Sequence, residues 1–228
     1  MTSPEYGETW VYESLVGTVP GVDVSARTAV ALQFLGFEAA ILVVAAVYDL
    51  QAAVIPGTAA VVVAAIGSWL MIRFSKSVRE LPTPAAYRRL LFGSSIDVVL
   101  GVLAFVTLVT YLFVVDPGTS EPSLVTSLFG ADPPAVAIWL ALLVLWDVVY
   151  RIGTCWWASL VGLWRALVYE FEPAVTRRYR RADTINLVFA VVQLLLIPFV
   201  IGYPLLLVVL GGHVVAVLTV TTLSRRLQ

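Results

Sequence analysis

Long apolar runs, separated by short polar segments, make up most of this chain. A run of about 20 residues crosses a bilayer as an α-helix, because each residue advances the helix by about 1.5 Å and the hydrocarbon core is roughly 30 Å thick. The pattern therefore indicates an all-α fold, a polytopic transmembrane helical bundle with six spans. The predicted spans lie at about 28–48, 52–74, 90–115 and 135–171, followed by a helical hairpin at 184–223.

The stretch 135–171 fits neither one simple crossing nor two crossings with a proper turn. A single helix of about 37 residues would be more than about 50 Å long. We predict one tilted or kinked helix that crosses to about Trp157 and continues in the membrane interface, an environment that suits Trp157 and Arg165. Gly153 or Gly162 would host the bend. Splitting the stretch into two helices gives seven spans as the alternative.

Basic residues mark one side of the predicted bundle. They cluster in the predicted loops 75–89 and 172–183 and in the tail 224–228, whereas the acidic loop 116–134 contains no basic residue. Basic residues in short loops favour the cytoplasmic side. Six spans place every basic segment on that side together with both termini, and seven spans would put the segment 172–183 outside.

Three regions follow from this division. The segment 1–27 is polar and acidic, and it predicts either an interfacial helix or a disordered tail. Because a signal peptide needs a basic start and an apolar core, we expect no cleavable signal here. The transmembrane helical domain is predicted at 28–223, and a short basic tail at 224–228.

The composition supports a bilayer rather than water as the solvent. The chain is 60% hydrophobic and 13% charged, whereas a soluble domain has roughly 45–50% apolar and about 25% charged residues. The formal net charge of −1 gives no basic excess, so we expect no nucleic acid as a partner. The one cysteine, Cys155, excludes a disulfide within the chain and a cysteine-rich metal site.

Several polar side chains fall inside the predicted spans, where charges are rare and are usually paired or functional. We take them as a candidate buried polar cluster, since their estimated depths allow them to meet if their helices face one another. The candidates are Glu38, Asp97, Asp147, Arg151, Gln193 and His213.

Asp147 and Arg151 lie four residues apart, so they share a helix face and can form an ion pair. Glu38 and Asp97 have no such local partner, and burial would favour their protonated forms. Three acids around one base would suit a proton or cation pathway. The structural alternative is that the ion pair and the hydrogen-bonded carboxylic acids only fix the packing of the helices.

The sequence contains no motif that indicates a catalytic reaction. It has no Walker sequence, no Gly-x-Ser-x-Gly elbow and no potassium-channel filter sequence. His213 is the single histidine, and it cannot form a two-histidine haem site or a typical zinc site. We therefore expect no cofactor and no metal, and an enzyme is the less expected class.

The chain as a whole resembles a family of uncharacterised multi-pass membrane proteins of haloarchaea. The resemblance rests on acidic exposed loops, on the segment 146–157 (WDVVYRIGTCWW), and on the preference for arginine, since only Lys76 among the 14 basic residues is a lysine. It implies an archaeal cell membrane and no particular activity.

Two functions are compatible with these patterns. The first is a small transporter or channel-like protein in which the central acidic cluster handles a proton or cation. The alternative is a non-catalytic membrane subunit or scaffold that binds lipid or a partner protein. Membrane lipid is the expected partner in both cases, together with a second copy of the chain or another protein.

Overall fold

The structure is a computed structural model that describes residues 25–228, apart from the side chain of Ala26. Within this range 86% of the residues are helical and none lies in a strand. Six helices of the described chain are long and apolar enough to cross a membrane, as the apolar runs predict, and they suggest a membrane protein. The predicted N-terminal segment lies outside the described residues except for its last three positions.

The spans follow one another in chain order, and the third and fifth are each built from consecutive shorter helices. The elements are α1 (Ala26–Tyr48), α2 (Gln51–Arg79), α3 (Ala85–Phe92), α4 (Ile96–Thr110), a π-helical turn (Tyr111–Val115), α5 (Asp116–Thr119), α6 (Leu124–Phe129), α7 (Ala135–Val168), α8 (Pro173–Val192), a 3₁₀ turn (Gln193–Leu196), α9 (Ile197–Val200) and α10 (Pro204–Leu227).

One end of the bundle carries the acidic loops, and two turns at that end lie close to their predicted positions. Asp49 closes α1 in the left-handed conformation, with φ of 56°, which short polar residues such as aspartate adopt more readily than most. The hairpin turn between α9 and α10 occupies 201–203. Pro204 then starts α10, at the helix position where a missing N–H does no harm.

At the opposite, basic end the predicted loops were too long. Helix α2 continues to Arg79 and α3 begins at Ala85, so the loop predicted at 75–89 is reduced to 80–84. Helix α8 begins at Pro173, and the arginines predicted in the loop 172–183 therefore lie on its first turns. Lysine and arginine are good helix formers, and a helix continues beyond the hydrocarbon core wherever such residues follow. For the same reason the predicted tail 224–228 is mostly the last turn of α10.

Helix α7 is one continuous helix of 34 residues, so the seven-span alternative is wrong. Beyond Trp157 the helix remains packed in the bundle, where Ala158, Val161 and Arg165 are buried. Gly153 serves packing, since a Cβ atom there would lie 2.8 Å from the backbone nitrogen of Gly101 on α4.

The two halves of the bundle are packed differently. The main apolar core lies at the basic end, where α2, α3, α7 and α8 bury large side chains such as Phe74, Tyr87, Leu91 and Phe189. At the acidic end the apolar clusters are smaller, and one of them consists of Ala45, Leu50 and Ala137 with a few partly buried neighbours. This less densely packed half contains an apolar cavity.

Candidate functional site

An apolar cavity of about 320 Å³ lies in the acidic half of the bundle, between α1, α2, α4, α7 and α10. On α7 its lining residues run from Ala137 to Ile152, a distance of about 22 Å along the helix axis. Two of its lining side chains, Phe113 and Val209, are 41% and 60% exposed. The cavity therefore reaches the outer surface of the bundle, which would face lipid in a membrane.

The wall of the cavity includes one segment of unusual backbone. Leu112 and Phe113, which line it, belong to the π-helical turn Tyr111–Val115 that follows α4. Helix α5 follows the turn directly, and its Asp116 accepts a hydrogen bond from the Leu124 backbone nitrogen at 2.6 Å. This bond ties the end of the turn to the start of α6. A π-helical turn inside a helix is frequently found at functional sites, so this wall is a candidate for ligand contact.

His213 is the single polar side chain among the described residues that line the cavity. Its side chain is buried, with 6% of the residue exposed, and neither ring nitrogen has a hydrogen-bond partner in the described part of the chain. The rings of Trp156 and His213 pack in an edge arrangement, with their centroids 6.2 Å apart. His213 follows Pro204 by nine residues, which places it about 14 Å from the acidic end. It is the residue of α10 in the described lining that lies farthest from that end, so it borders the inner part of the cavity.

The ion pair predicted from sequence spacing is present. Arg151 Nη2 donates to Asp147 Oδ1 at 2.6 Å, and the same carboxylate accepts from Gln33 Nε2 at 2.8 Å. Ser68 Oγ then donates to Gln33 Oε1 at 3.2 Å. The pair is thus one part of a polar chain that joins α7 to α1 and α2, and sequence reasoning missed the residues that extend it.

The two other predicted acids lie in separate helix contacts. Glu38 accepts a hydrogen bond from Thr58 at 2.8 Å, between α1 and α2. Asp97 accepts one from the Tyr150 hydroxyl at 3.0 Å, between α4 and α7. Tyr150 and Arg151 are adjacent in sequence, so their side chains leave α7 about 100° apart. None of the three predicted acids is among the described residues that line the cavity.

Gln193, the remaining predicted site residue, lies in the 3₁₀ turn after α8 and is fully buried. Neither its amide oxygen nor its amide nitrogen has a hydrogen-bond partner among residues 25–228. It is not one of the described residues that line the cavity. Of the six predicted site residues, only His213 therefore contacts the cavity.

A second buried ion pair, which the sequence did not reveal, lies at the basic end. Arg165 Nη2 donates to Asp183 Oδ2 at 2.7 Å, and Nη1 donates to the Tyr87 hydroxyl at 3.1 Å. The guanidinium carbon also lies 4.2 Å from the centroid of the Tyr179 ring. Tyr179 and Asp183 are four residues apart on α8, a spacing that could have identified this face if the helix had been predicted to start at Pro173.

A family model matches residues 5–224 of the chain, and its description is a family of unknown function. The chain belongs to the DUF7530 family. No curated protein and no solved structure matches it. Membership in DUF7530 gives no activity.

Among residues 25–228 no group of three or more histidine, cysteine, aspartate or glutamate side chains is placed to hold a metal ion. Cys155 is fully buried, and its thiol contacts the backbone oxygen of Asn186. Among the described residues of this DUF7530 chain, the cavity is a feature that can accept another molecule.

Proposed function

We propose that this protein is a multi-pass membrane protein that binds a lipophilic molecule from the bilayer in its apolar cavity. One observation carries the proposal: the cavity of about 320 Å³ opens to the outer surface of the bundle and has an apolar lining apart from His213. Its volume falls within the range of roughly 300–1,000 Å³ that is usual for small-molecule sites. The proposal is one form of the lipid-binding scaffold that the sequence suggested.

The environment of the cavity favours an occupant from the membrane. An unfilled cavity loses the dispersion contacts of the atoms that line it. In the proposed membrane setting, hydrocarbon would surround Phe113 and Val209, the lining residues that are exposed on the surface of the bundle. A lipophilic molecule can enter between the helices without first crossing water. The dense packing of the basic half holds the helices in place while this exchange occurs.

Cavity filling tests the proposal. Ala141 lines the cavity, and Ala141→Phe places a ring inside it. Ala39 is exposed on α1 and does not line it, so Ala39→Phe is the matched control. We expect saturable binding of radiolabelled octylbenzene to the protein in phosphatidylcholine nanodiscs, at least about tenfold weaker for Ala141→Phe and unchanged for Ala39→Phe. Equal uptake by empty nanodiscs and by nanodiscs with the protein would contradict the proposal.

The arrangement of charges supports an orientation for the bundle. We propose that both ends of the bundle and its basic loops lie on the cytoplasmic side of a cell membrane, which places the cavity in the outer half of the bilayer. Glu121 and Glu172 are exposed in connections at opposite ends. A membrane-impermeant maleimide is expected to label Glu121→Cys in intact cells and Glu172→Cys only after lysis. The reverse order of labelling would overturn this orientation.

A proton or cation pathway is the second candidate. The observation that favours it is a void of about 10 Å³ that Gln33 and Asp147 border beside the ion pair, about the space that one water molecule needs. The test is ion and proton flux in proteoliposomes with Glu38→Gln, Asp97→Asn and Asp147→Asn. If all three variants leave the flux at the wild-type value, this candidate fails. Binding to a second copy or to another protein stays a prediction.

A further inference from the structure

We infer that the cavity takes an uncharged lipophilic molecule whose ring-sized end carries a hydroxyl or carbonyl oxygen, and that this oxygen hydrogen-bonds to His213. The inference rests on the proposed function and narrows it to a class of ligand. It follows from three separate features of the described residues: the unsatisfied histidine at the inner end, the size of the cavity, and the charge around its outer end.

The histidine supplies the polar requirement. A neutral imidazole has one N–H donor and one acceptor nitrogen, and a buried polar atom without a partner is unfavourable. Both nitrogens of His213 lack a partner in the described chain, although the side chain is buried and lines the cavity. A hydroxyl or carbonyl oxygen on the ligand would satisfy one of them. A plain hydrocarbon chain would leave both unsatisfied.

The volume limits the part of the ligand that fits. An apolar cavity of about 150 Å³ is large enough to bind benzene, and this cavity is about twice that size, at about 320 Å³. It therefore holds a ring with a short piece of attached chain, and it cannot enclose a whole phospholipid. The rest of a longer chain would leave the cavity beside the exposed Phe113 and Val209 and lie among the lipid chains.

The surrounding charge excludes an anionic ligand. The described connections at the cavity's end of the bundle carry the exposed acids Asp49, Glu121 and Asp132, and residues 112–138 contain no lysine or arginine. A carboxylate or phosphate at the outer end would face negative charge with no cation to pair with, and inside the cavity it would lose its hydration. Fatty acids and phospholipid head groups are therefore poor candidates, whereas an uncharged molecule meets neither obstacle.

Three probes that share one chain length separate these requirements. Para-octylphenol has the ring, the chain and a hydroxyl; octylbenzene lacks the oxygen; para-octylbenzoate adds a charge. Binding is measured to the full chain in phosphatidylcholine nanodiscs, with empty nanodiscs subtracted. We expect octylphenol to bind about fivefold more tightly than octylbenzene, the factor that one net hydrogen bond contributes, and octylbenzoate to show no saturable binding. In His213→Leu the preference for octylphenol over octylbenzene is expected to disappear.

The possible results divide clearly. Equal affinities of the wild-type protein for octylphenol and octylbenzene would overturn the inference and leave the proposed function in place. Saturable binding of octylbenzoate at a comparable affinity would also overturn it. Absence of saturable binding by any probe would reject the proposed function itself. The comparison of probes on the wild-type chain needs no variant, so a misfolded His213→Leu protein would not prevent a decision.

Discussion

Removing either partner of the buried Arg165–Asp183 pair should strongly destabilise the bundle. Arg165 is completely buried, and the side chain of Asp183 is 9% exposed. Breaking a buried pair leaves one charge without compensation, which costs about 3–5 kcal/mol. The guanidinium of Arg165 cannot lose its charge under ordinary conditions, but its contact with the Tyr179 ring at 4.2 Å retains about 0.5–2 kcal/mol of stabilisation. We therefore expect Asp183→Leu to lower the free energy of unfolding by about 3 kcal/mol, at the lower end of the range for a broken buried pair.

The double variant provides the decisive comparison. Arg165→Met removes the donor to Asp183 together with the hydrogen bond to Tyr87, which spans 3.1 Å, so we expect a loss near the upper end of about 3–5 kcal/mol. Replacing a whole buried pair by apolar residues is often neutral or stabilising. The double variant Arg165→Met with Asp183→Leu should therefore lie within about 2 kcal/mol of the wild-type protein, far from the sum of the single changes.

The measurement is equilibrium unfolding in mixed detergent micelles, followed by far-ultraviolet circular dichroism while the fraction of sodium dodecyl sulfate is raised. Arg226→Met is the matched control, because Arg226 is exposed on the last turn of α10, and it should leave the transition unchanged. Strictly additive losses in the double variant, or single losses below about 1 kcal/mol, would show that the pair does not stabilise the bundle in the way described.

Three further changes test helix contacts by the same unfolding measurement. Gly153→Ala should lower the free energy of unfolding by about 1–3 kcal/mol, since the added Cβ atom would lie 2.8 Å from the backbone of α4. The control is Gly211→Ala, whose added Cβ atom would have no neighbouring atom within 4 Å and which should be neutral or stabilising. Tyr150→Phe removes the hydrogen bond to buried Asp97 and should cost about 1–3 kcal/mol; no loss would mean that water replaces the hydroxyl. Asn186→Leu removes two donated hydrogen bonds between α8 and α7 and should cost a similar amount, about 1–3 kcal/mol.

The number of spans could be predicted because the thickness of the hydrocarbon core fixes the length of an apolar helix. Helix α1 and the hairpin turn at 201–203 show how close this estimate comes. The same reasoning fails where a helix leaves the hydrocarbon, because backbone hydrogen bonding does not require apolar side chains. The basic ends of α2 and α8 are helical beyond the predicted limits for this reason.

Contacts within one helix could be predicted, and contacts between helices could not. The spacing of Asp147 and Arg151 along α7 is enough to predict their ion pair. By contrast, the hydrogen bond between Tyr150 and Asp97 joins residues 53 positions apart, and it depends on which faces of α4 and α7 meet. No local pattern in the sequence contains that information.

The cavity could not be predicted from the sequence either. Its lining consists of the same alanine, valine, leucine and phenylalanine residues that fill a packed core, and an apolar side chain has the same identity whether it contacts a neighbour or borders a void. His213 was recognised as a polar residue in a span, but sequence reasoning had no means of placing an apolar space beside it.

The distribution of polar contacts explains why the cavity lies where it does. In a bilayer, burial of apolar surface does not drive helices together, and close packing with hydrogen bonds between helices replaces it. In the described bundle the pair Arg165–Asp183 and the polar chain around Asp147 bind the helices together from the basic end to the middle. Toward the acidic end the spans share fewer such contacts, of which Glu38–Thr58 is one. The helices are therefore joined by more polar contacts at the basic end than at the acidic end, and a lipophilic ligand with its own hydrogen-bonding oxygen would add one more polar contact to the acidic half, at His213.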